Sequence, residues 1–282
     1  MMISRLAAAA LLVLPLNACV PAMVAGTAAR VAAQSAMKAD KAEGGPIYHY
    51  VRSNRDGSEP ENIVHFRPSA SEVAVYKWVS KCSSAAYVTA EMRPGIWEPL
   101  TLHAGKVSRT GTQDRFGTLS LDPSTRELSV IANLDGKELR DRASVPQGLP
   151  WFLYDYDLAD LNAYLQEVRP TDDFQFAFAL FMPGPDGDGP LNYFATMEAD
   201  YLGQMIHEGR GLRRFDLTSS DGEPMRGTLW VDPASGAIVE AEFDRKNHDF
   251  MTDYRLKLAR VEAGGSAQWK ALLAAHWANC PV

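Results

Sequence analysis

The chain has 282 residues, 46% of them hydrophobic, and a formal net charge of −7 at pH 7. That length suits one large domain or two similar halves, and the apolar content supports a substantial core. The acidic balance argues against a general nucleic-acid binder, which normally presents a basic face.

The N-terminus reads as a secretory signal. Arg5 supplies a positive start, Leu6 to Leu16 form an apolar stretch, and Ala18 is the small residue before a cleavage point. The apolar run is too short to span a bilayer, which needs about 20 such residues. Leu16-Asn17-Ala18-Cys19 resembles the lipobox of bacterial lipoproteins. The resemblance implies that residues 1–18 are a signal peptide and that Cys19 becomes the acylated first residue, anchoring the chain to a membrane. An ordinary cleaved signal with an incidental cysteine is the alternative. Val20 follows Cys19 with no aspartate there, which by the enterobacterial sorting rule implies an outer-membrane lipoprotein facing the periplasm. Residues 19–45, rich in Ala and ending in charged residues and Gly44-Gly45, read as lipid anchor and tether. A β-rich envelope domain is expected over 46–282.

In that body the patterning turns to strands. Ile47 to Arg52, Ile63 to Arg67 and Glu72 to Val79 are candidates, with a turn at Asn54-Arg55-Asp56-Gly57. The stretch GTLSLDPSTRELSVIAN from Gly117 is echoed by GTLWVDPASGAIVEAEF from Gly227. Each reads as strand, Asp-Pro turn, strand, because proline presets one dihedral and the aspartate carboxylate can bond nearby amides. A looser copy starts at Asp56. Either the architecture is duplicated or β-hairpins resemble one another by chance. Between the two copies, Leu158, Leu161, Tyr164, Leu165 and Val168 form the stripe of a helix that Asp157 can cap and Pro170 stops. Phe174 to Phe181 is a strand apolar on both faces. Toward the end, Phe250, Thr252, Tyr254, Leu256 and Leu258 alternate with polar residues, predicting a half-buried strand over Phe250 to Ala259. Trp269, Leu272, Leu273, His276 and Trp277 have helical spacing. The fold class is therefore mainly β: a curved antiparallel sheet or incomplete barrel with two short helices.

Beyond Cys19 only Cys82 and Cys280 remain. In an exported protein an even pair suggests a disulfide, here tying an early strand to the chain end; two separate thiols are the alternative. Signatures of catalysis are missing: no G-x-S-x-G elbow, no H-E-x-x-H helix and no phosphate loop occurs. The six histidines are scattered, none at ligand spacing from another histidine or cysteine. His207-Glu208 could form an acid–base pair, but neighbours on a strand point to opposite faces. Arg210, Arg213 and Arg214 are a solvated edge more readily than an anion site. Asp186 and Asp188 open like a calcium loop but lack its later ligands, which leaves a plain turn. No enzymatic activity, metal or cofactor is expected.

Trp151, Phe152, Tyr154 and Tyr156, with Phe174, Phe176 and Phe178, gather aromatic surface. It is either core or the lining of a cavity for an apolar ligand such as an acyl chain, with Trp151, Phe152, Phe176 and Phe178 as candidate ligand contacts. At GTLWVDPASGAIVEAEFD, preceded by RRFDLTSSDGEP, the chain resembles a broad group of uncharacterised periplasmic β-proteins. That group in turn is similar to the lipoprotein carriers of the Lol system, whose curved antiparallel sheet forms an incomplete barrel closed by helices and holds acyl chains. The resemblance implies a non-enzymatic lipoprotein that binds a lipid or other apolar ligand in a concave sheet. The alternative is a structural lipoprotein of the outer membrane that binds an envelope protein through a sheet edge.

Overall fold

The Asp-Pro turns form as their chemistry requires. In a computed structural model, which describes residues 44–134, 136–182 and 189–281, the Asp122 carboxylate accepts the Ser124 amide at 2.8 Å and the Ser124 hydroxyl at 2.6 Å. Asp232 does the same for the Ser235 amide (2.8 Å) and hydroxyl (2.9 Å). Each carboxylate satisfies amides that the reversing chain would otherwise leave open. The turns join β6 (Gln113–Asp122) to β7 (Glu127–Leu134), and β13 (Arg226–Val231) to β14 (Ile238–Phe243).

These hairpins belong to one curved, unclosed sheet of 15 strands. Its first half runs in sequence order through β1 (Ile47–Ser53), β2 (Glu61–Ser69), β3 (Glu72–Trp78), β4 (Ala86–Met92), β5 (Pro99–Val107), β6, β7 and β8 (Lys137–Ser144). The second half comprises β9 (Trp151–Leu153), β10 (Phe174–Phe181), β11 (Leu191–His207), β12 (Arg210–Gly222), β13, β14 and β15 (Tyr254–Glu262). The halves join where β1 pairs antiparallel with β15. Every pairing is antiparallel except that of short β9 with β10. The sheet curls until β8 reaches the start of β11, where Asp141 accepts the Leu191 amide at 2.8 Å.

Period two decides which side chains enter. On β1, β2 and β3 the residues Tyr48, Tyr50, Ile63, Val73 and Val75 face the main core inside the curl. Their neighbours Ile47, Val64, Phe66, Ala74 and Tyr76 face a smaller outer core. Helix α1 (Ala159–Val168) buries Leu161 and Leu165 in the main core, and helix α2 (Ser266–Ala274) buries Trp269 and Leu273 in the outer one. Beyond α2 the Cys82–Cys280 disulfide closes, with Cα atoms 5.4 Å apart, inside the range that a disulfide spans without distortion.

Three local expectations change. Asp157 does not cap α1: the residue before the helix is Leu158, with no side-chain cap bond, and Asp157 turns into the interior instead. The last strand begins at Tyr254 rather than Phe250, and Phe250 is 59% exposed. The Asn54 side-chain oxygen accepts the Thr252 and Asp253 amides, which holds residues 244–253 out of the ladder as a loop. Glu208 is not on a strand. Glu208 and Gly209, at φ +48° and +76°, form the two-residue turn between β11 and β12 that suits a right-twisted hairpin. Cys19, the signal and the tether up to residue 43, and Asp186 and Asp188, lie outside the described residues.

Candidate functional site

The alternation that makes the core also places charges in it. Arg52 continues the Tyr48, Tyr50 series of β1; Glu61 precedes Ile63 on β2; Lys77 follows Val73 and Val75 on β3. All three point to the inner face, and Arg52 and Glu61 sit directly opposite one another across the ladder. Asp157 meets them from the loop before α1. Asp157 and Leu158 both adopt left-handed φ (+52° and +59°), which reverses the chain and aims the carboxylate inward. Such φ values cost an L-residue roughly 1–2 kcal/mol each.

The bonds are dense. Lys77 Nζ lies 2.6 Å from Asp157 Oδ2 and donates to the Asp155 carbonyl at 2.8 Å. Arg52 pairs with Glu61 and reaches Asp157 Oδ1 at 3.4 Å. The 244–253 loop supplies Asn247, which donates to Asp157 Oδ1 at 3.0 Å, and His248, whose Nε2 is 3.0 Å from Arg52 Nη1. The Asn247 side-chain oxygen lies 2.9 Å from His248 Nδ1. Arg52 Nη1 is also 2.9 Å from His248 Nδ1, so the guanidinium lies against both ring nitrogens, an arrangement that disfavours a charged imidazole. Burial, with Lys77 nearby, pushes His248 down to about 3, so it stays neutral. For Asp157, burial alone would raise the carboxyl, but Lys77 and Arg52 outweigh it and hold it below the usual carboxylate range. Asp160, three positions on, is buried with no cation beside it among the described residues and is pushed up to about 7, although its oxygens accept the Leu153 and Leu161 amides.

This cluster forms one end of a cavity of about 390 Å³. The cavity runs along the inner face of β4 to β7, past Val88, Leu102, Leu119 and Val130. Lys77, Asp155, Tyr156 and His248 line its inner end. Lys106 and Leu134, at the other end, are exposed. The cavity exists because the side chains here are small: Ala86, Ala104, Gly117 and Ala132 all line it. The two Asp-Pro hairpins make the point. Gly117 pairs with Ala132 in the first, whereas Gly227 pairs with Phe243 in the second. A Cβ at Gly227 would clash with the Glu242 carbonyl oxygen and lie 2.6 Å from the Phe243 ring, so that glycine admits both the close neighbouring strand and a phenyl group that fills the core. The first hairpin keeps the glycine and lacks the ring.

The aromatic residues expected to contact a ligand lie elsewhere. Trp151, Phe152, Phe176 and Phe178 are fully buried, in the main core. Ring centroids of Phe152 and Phe176 are 5.6 Å apart and those of Phe176 and Phe178 4.9 Å, and Trp151 Nε1 donates to the Pro99 carbonyl at 3.1 Å. Among their neighbours, Leu153, Tyr156 and Phe181 do line the cavity. The sequence marks Asp157 only as a helix cap and gives Lys77, Asp155 and His248 no role. One signal was present: in consecutive strands a charged residue completes an apolar alternation, at Arg52, Glu61 and Lys77.

Other charged groups are structural. Glu98, fully buried, takes both oxygens to Arg126 Nη1 (2.7 and 2.8 Å) and pairs with Arg93 at 2.5 Å, holding the approach to β9. Arg210 pairs with Asp232 and Arg214 with Asp216, while Arg213 donates to the Arg169 and Pro170 carbonyls, so the three arginines brace the sheet. His207, Glu208 and Glu240 do converge, with His207 Nε2 2.6 Å from Glu240. Arg255 already pairs with Glu240 (2.5 Å) and Lys257 with Glu208, which makes the group an ion-pair network whose carboxylates are neutralised.

Compared with known proteins, the chain matches no protein-family model and, by sequence, no curated protein.

Proposed function

We propose that this protein is a non-enzymatic cell-envelope lipoprotein that holds an acyl chain or another apolar ligand in the cavity along β4 to β7. One observation carries the reading. The cavity, about 390 Å³ and open toward Lys106 and Leu134, has a mostly aliphatic lining that no side chain of the described residues fills. Ligand pockets begin at about 300 Å³ and combine such linings with a few placed polar groups. Lys77, Asp155 and His248 are such groups. The lipobox-like Leu16-Asn17-Ala18-Cys19 supports the envelope location, facing the periplasm from the outer membrane. The test is native mass spectrometry of the purified protein followed by lipid extraction. Acyl species should co-purify, and Ala132→Phe, which supplies the ring present in the other hairpin, should remove them. A ligand-free protein whose mass spectrum is the same for both forms would refute the reading.

A second reading is a partner-binding lipoprotein. It is favoured by the β11–β12 hairpin, where Leu202, Met205 and Ile206 are exposed, Ile206 by 76%. Exposed apolar groups of this kind mark interaction sites when they are contiguous. A stable envelope partner lost on Ile206→Lys would favour it.

A further inference from the structure

The charges at the inner end of the cavity do not balance. Arg52 and Lys77 face Glu61 and Asp157, which pairs two cations with two carboxylates. Asp155 is a third carboxylate in the same place, and no cation bonds to its side chain among the described residues. The Lys77 ammonium takes the Asp155 backbone carbonyl and the Asp157 carboxylate instead. Among the described residues the Asp155 carboxylate accepts backbone amides, that of Phe181 at 3.2 Å to Oδ1 and its own. His248 stays neutral beside Arg52 and Lys77 and contributes no compensating charge. The other lining cation, Lys106, is exposed, where water and salt screen it.

We propose that the cavity takes a single-chain amphiphile with a cationic ammonium head, seated against the Asp155 carboxylate with its hydrocarbon along β4 to β7. The inference rests on the apolar-ligand reading and adds the head-group class. A carboxylate in an apolar wall is poorly solvated, and a cation brought beside it recovers Coulomb energy that water no longer supplies. An anionic head in the same place would be the fourth carboxylate around two cations. Burial pushes Asp155 up to about 6 against the pull of Lys77, so it is ionised at neutral pH. The lining past Val88, Leu102, Leu119 and Val130 is aliphatic and suits a hydrocarbon chain, with Thr118 and the exposed Lys106 among the polar groups along it.

The experiment uses three probes of equal chain length: dodecylamine, dodecanol and dodecanoate, each titrated into the purified protein at pH 7.5. Dodecylamine should bind at least about tenfold more tightly than dodecanoate, and Asp155→Asn should shrink the gap to about twofold while dodecanol binding is retained. Ala132→Phe should weaken all three, which separates the cavity from general attraction of an amine to an acidic protein. Should Asp155→Asn fail to fold, the preference for dodecylamine over dodecanol is measured on the unaltered protein at pH 5 and 7.5. It should fall at pH 5 as Asp155 takes up a proton, with Asp157 ionised and His248 neutral throughout. Asp160, pushed up to about 7, and Glu61, raised by burial, also face this end, so Asp160→Asn and Glu61→Gln are measured beside it and should keep the pH dependence. Dodecanoate binding as tightly as the amine, or a preference that ignores both Asp155 and pH, overturns the head-group inference alone. Binding of none of the three overturns the apolar-ligand reading with it.

Discussion

Asp157→Asn probes how the fold tolerates buried charge. Asp157 and the Arg52 side chain are wholly shielded from solvent, and Lys77 nearly so. The substitution removes one negative charge from a set of two cations and two carboxylates, and it can turn an amide N–H₂ toward Lys77 Nζ, 2.6 Å from the original oxygen. Breaking a buried pair by removing one partner costs roughly 3–5 kcal/mol, because the other charge stays buried and uncompensated. The Asn247 bond to Oδ1 can survive and the carboxylate's own desolvation is relieved, so we expect the low end, about 3 kcal/mol. For a body of this size that lowers Tm by roughly 6–12 °C. Circular dichroism and tryptophan fluorescence, followed together on heating and in urea, give the value if their transitions coincide. The sign with pH follows from the carboxyl being held below its ordinary value. Its contribution is complete above the unfolded pKa of about 3.9 and is lost as pH falls through the lower folded value. The gap between the two proteins should therefore be widest near neutrality and close below pH 4. Adding Lys77→Met should recover about 1.5 kcal/mol or more, since removing both partners is far less costly than removing one. A single variant within 1 kcal/mol of the parent, or a gap that persists unchanged at pH 2.5, would refute the reasoning.

Three further outcomes are expected. Cys82→Ser with Cys280→Ser opens a closure of 198 residues, for which chain entropy sets a ceiling of about 5 kcal/mol; a Tm unmoved by the double change and by reductant would contradict a stabilising bond. Ala132→Phe should leave the fold intact or raise Tm, since burying a phenyl group in existing space contributes roughly 1.5–3 kcal/mol; a clear loss of stability would mean that the space is not available. Cys19→Ala should shift the protein from the membrane to the soluble periplasmic fraction or leave it unprocessed, and unchanged membrane association of a correctly cut protein would exclude lipidation.

Much of the fold is local chemistry and could be read from the chain. The Asp-Pro turns carry their own hydrogen-bond acceptors, the strand from Phe174 to Phe181 is marked by apolar residues on both faces, and the two helices follow from 3.6-residue spacing. The cysteine pair, even in number, pointed to its own closure. What the tertiary structure alone decided depends on neighbours distant in sequence. Phe250 and Tyr254 have the same alternating pattern, yet only Tyr254 enters the sheet, because Asn54 bonds the amides between them. Trp151, Phe152, Phe176 and Phe178 look equally suited to a core or a pocket, since aromatic character is the same in both; the packing of β9 on β10 makes them core. The cavity depends instead on what is missing, an alanine at 132 opposite a glycine, and small residues leave no mark in a hydrophobic pattern. Asp157 and Asp160 are three residues apart, yet one is held ionised by Lys77 and Arg52 while the other, with no cation beside it among the described residues, is pushed toward neutrality. Their charge states come from strands folded against them, and no local pattern encodes that, because Coulomb and desolvation energies depend on distance in space.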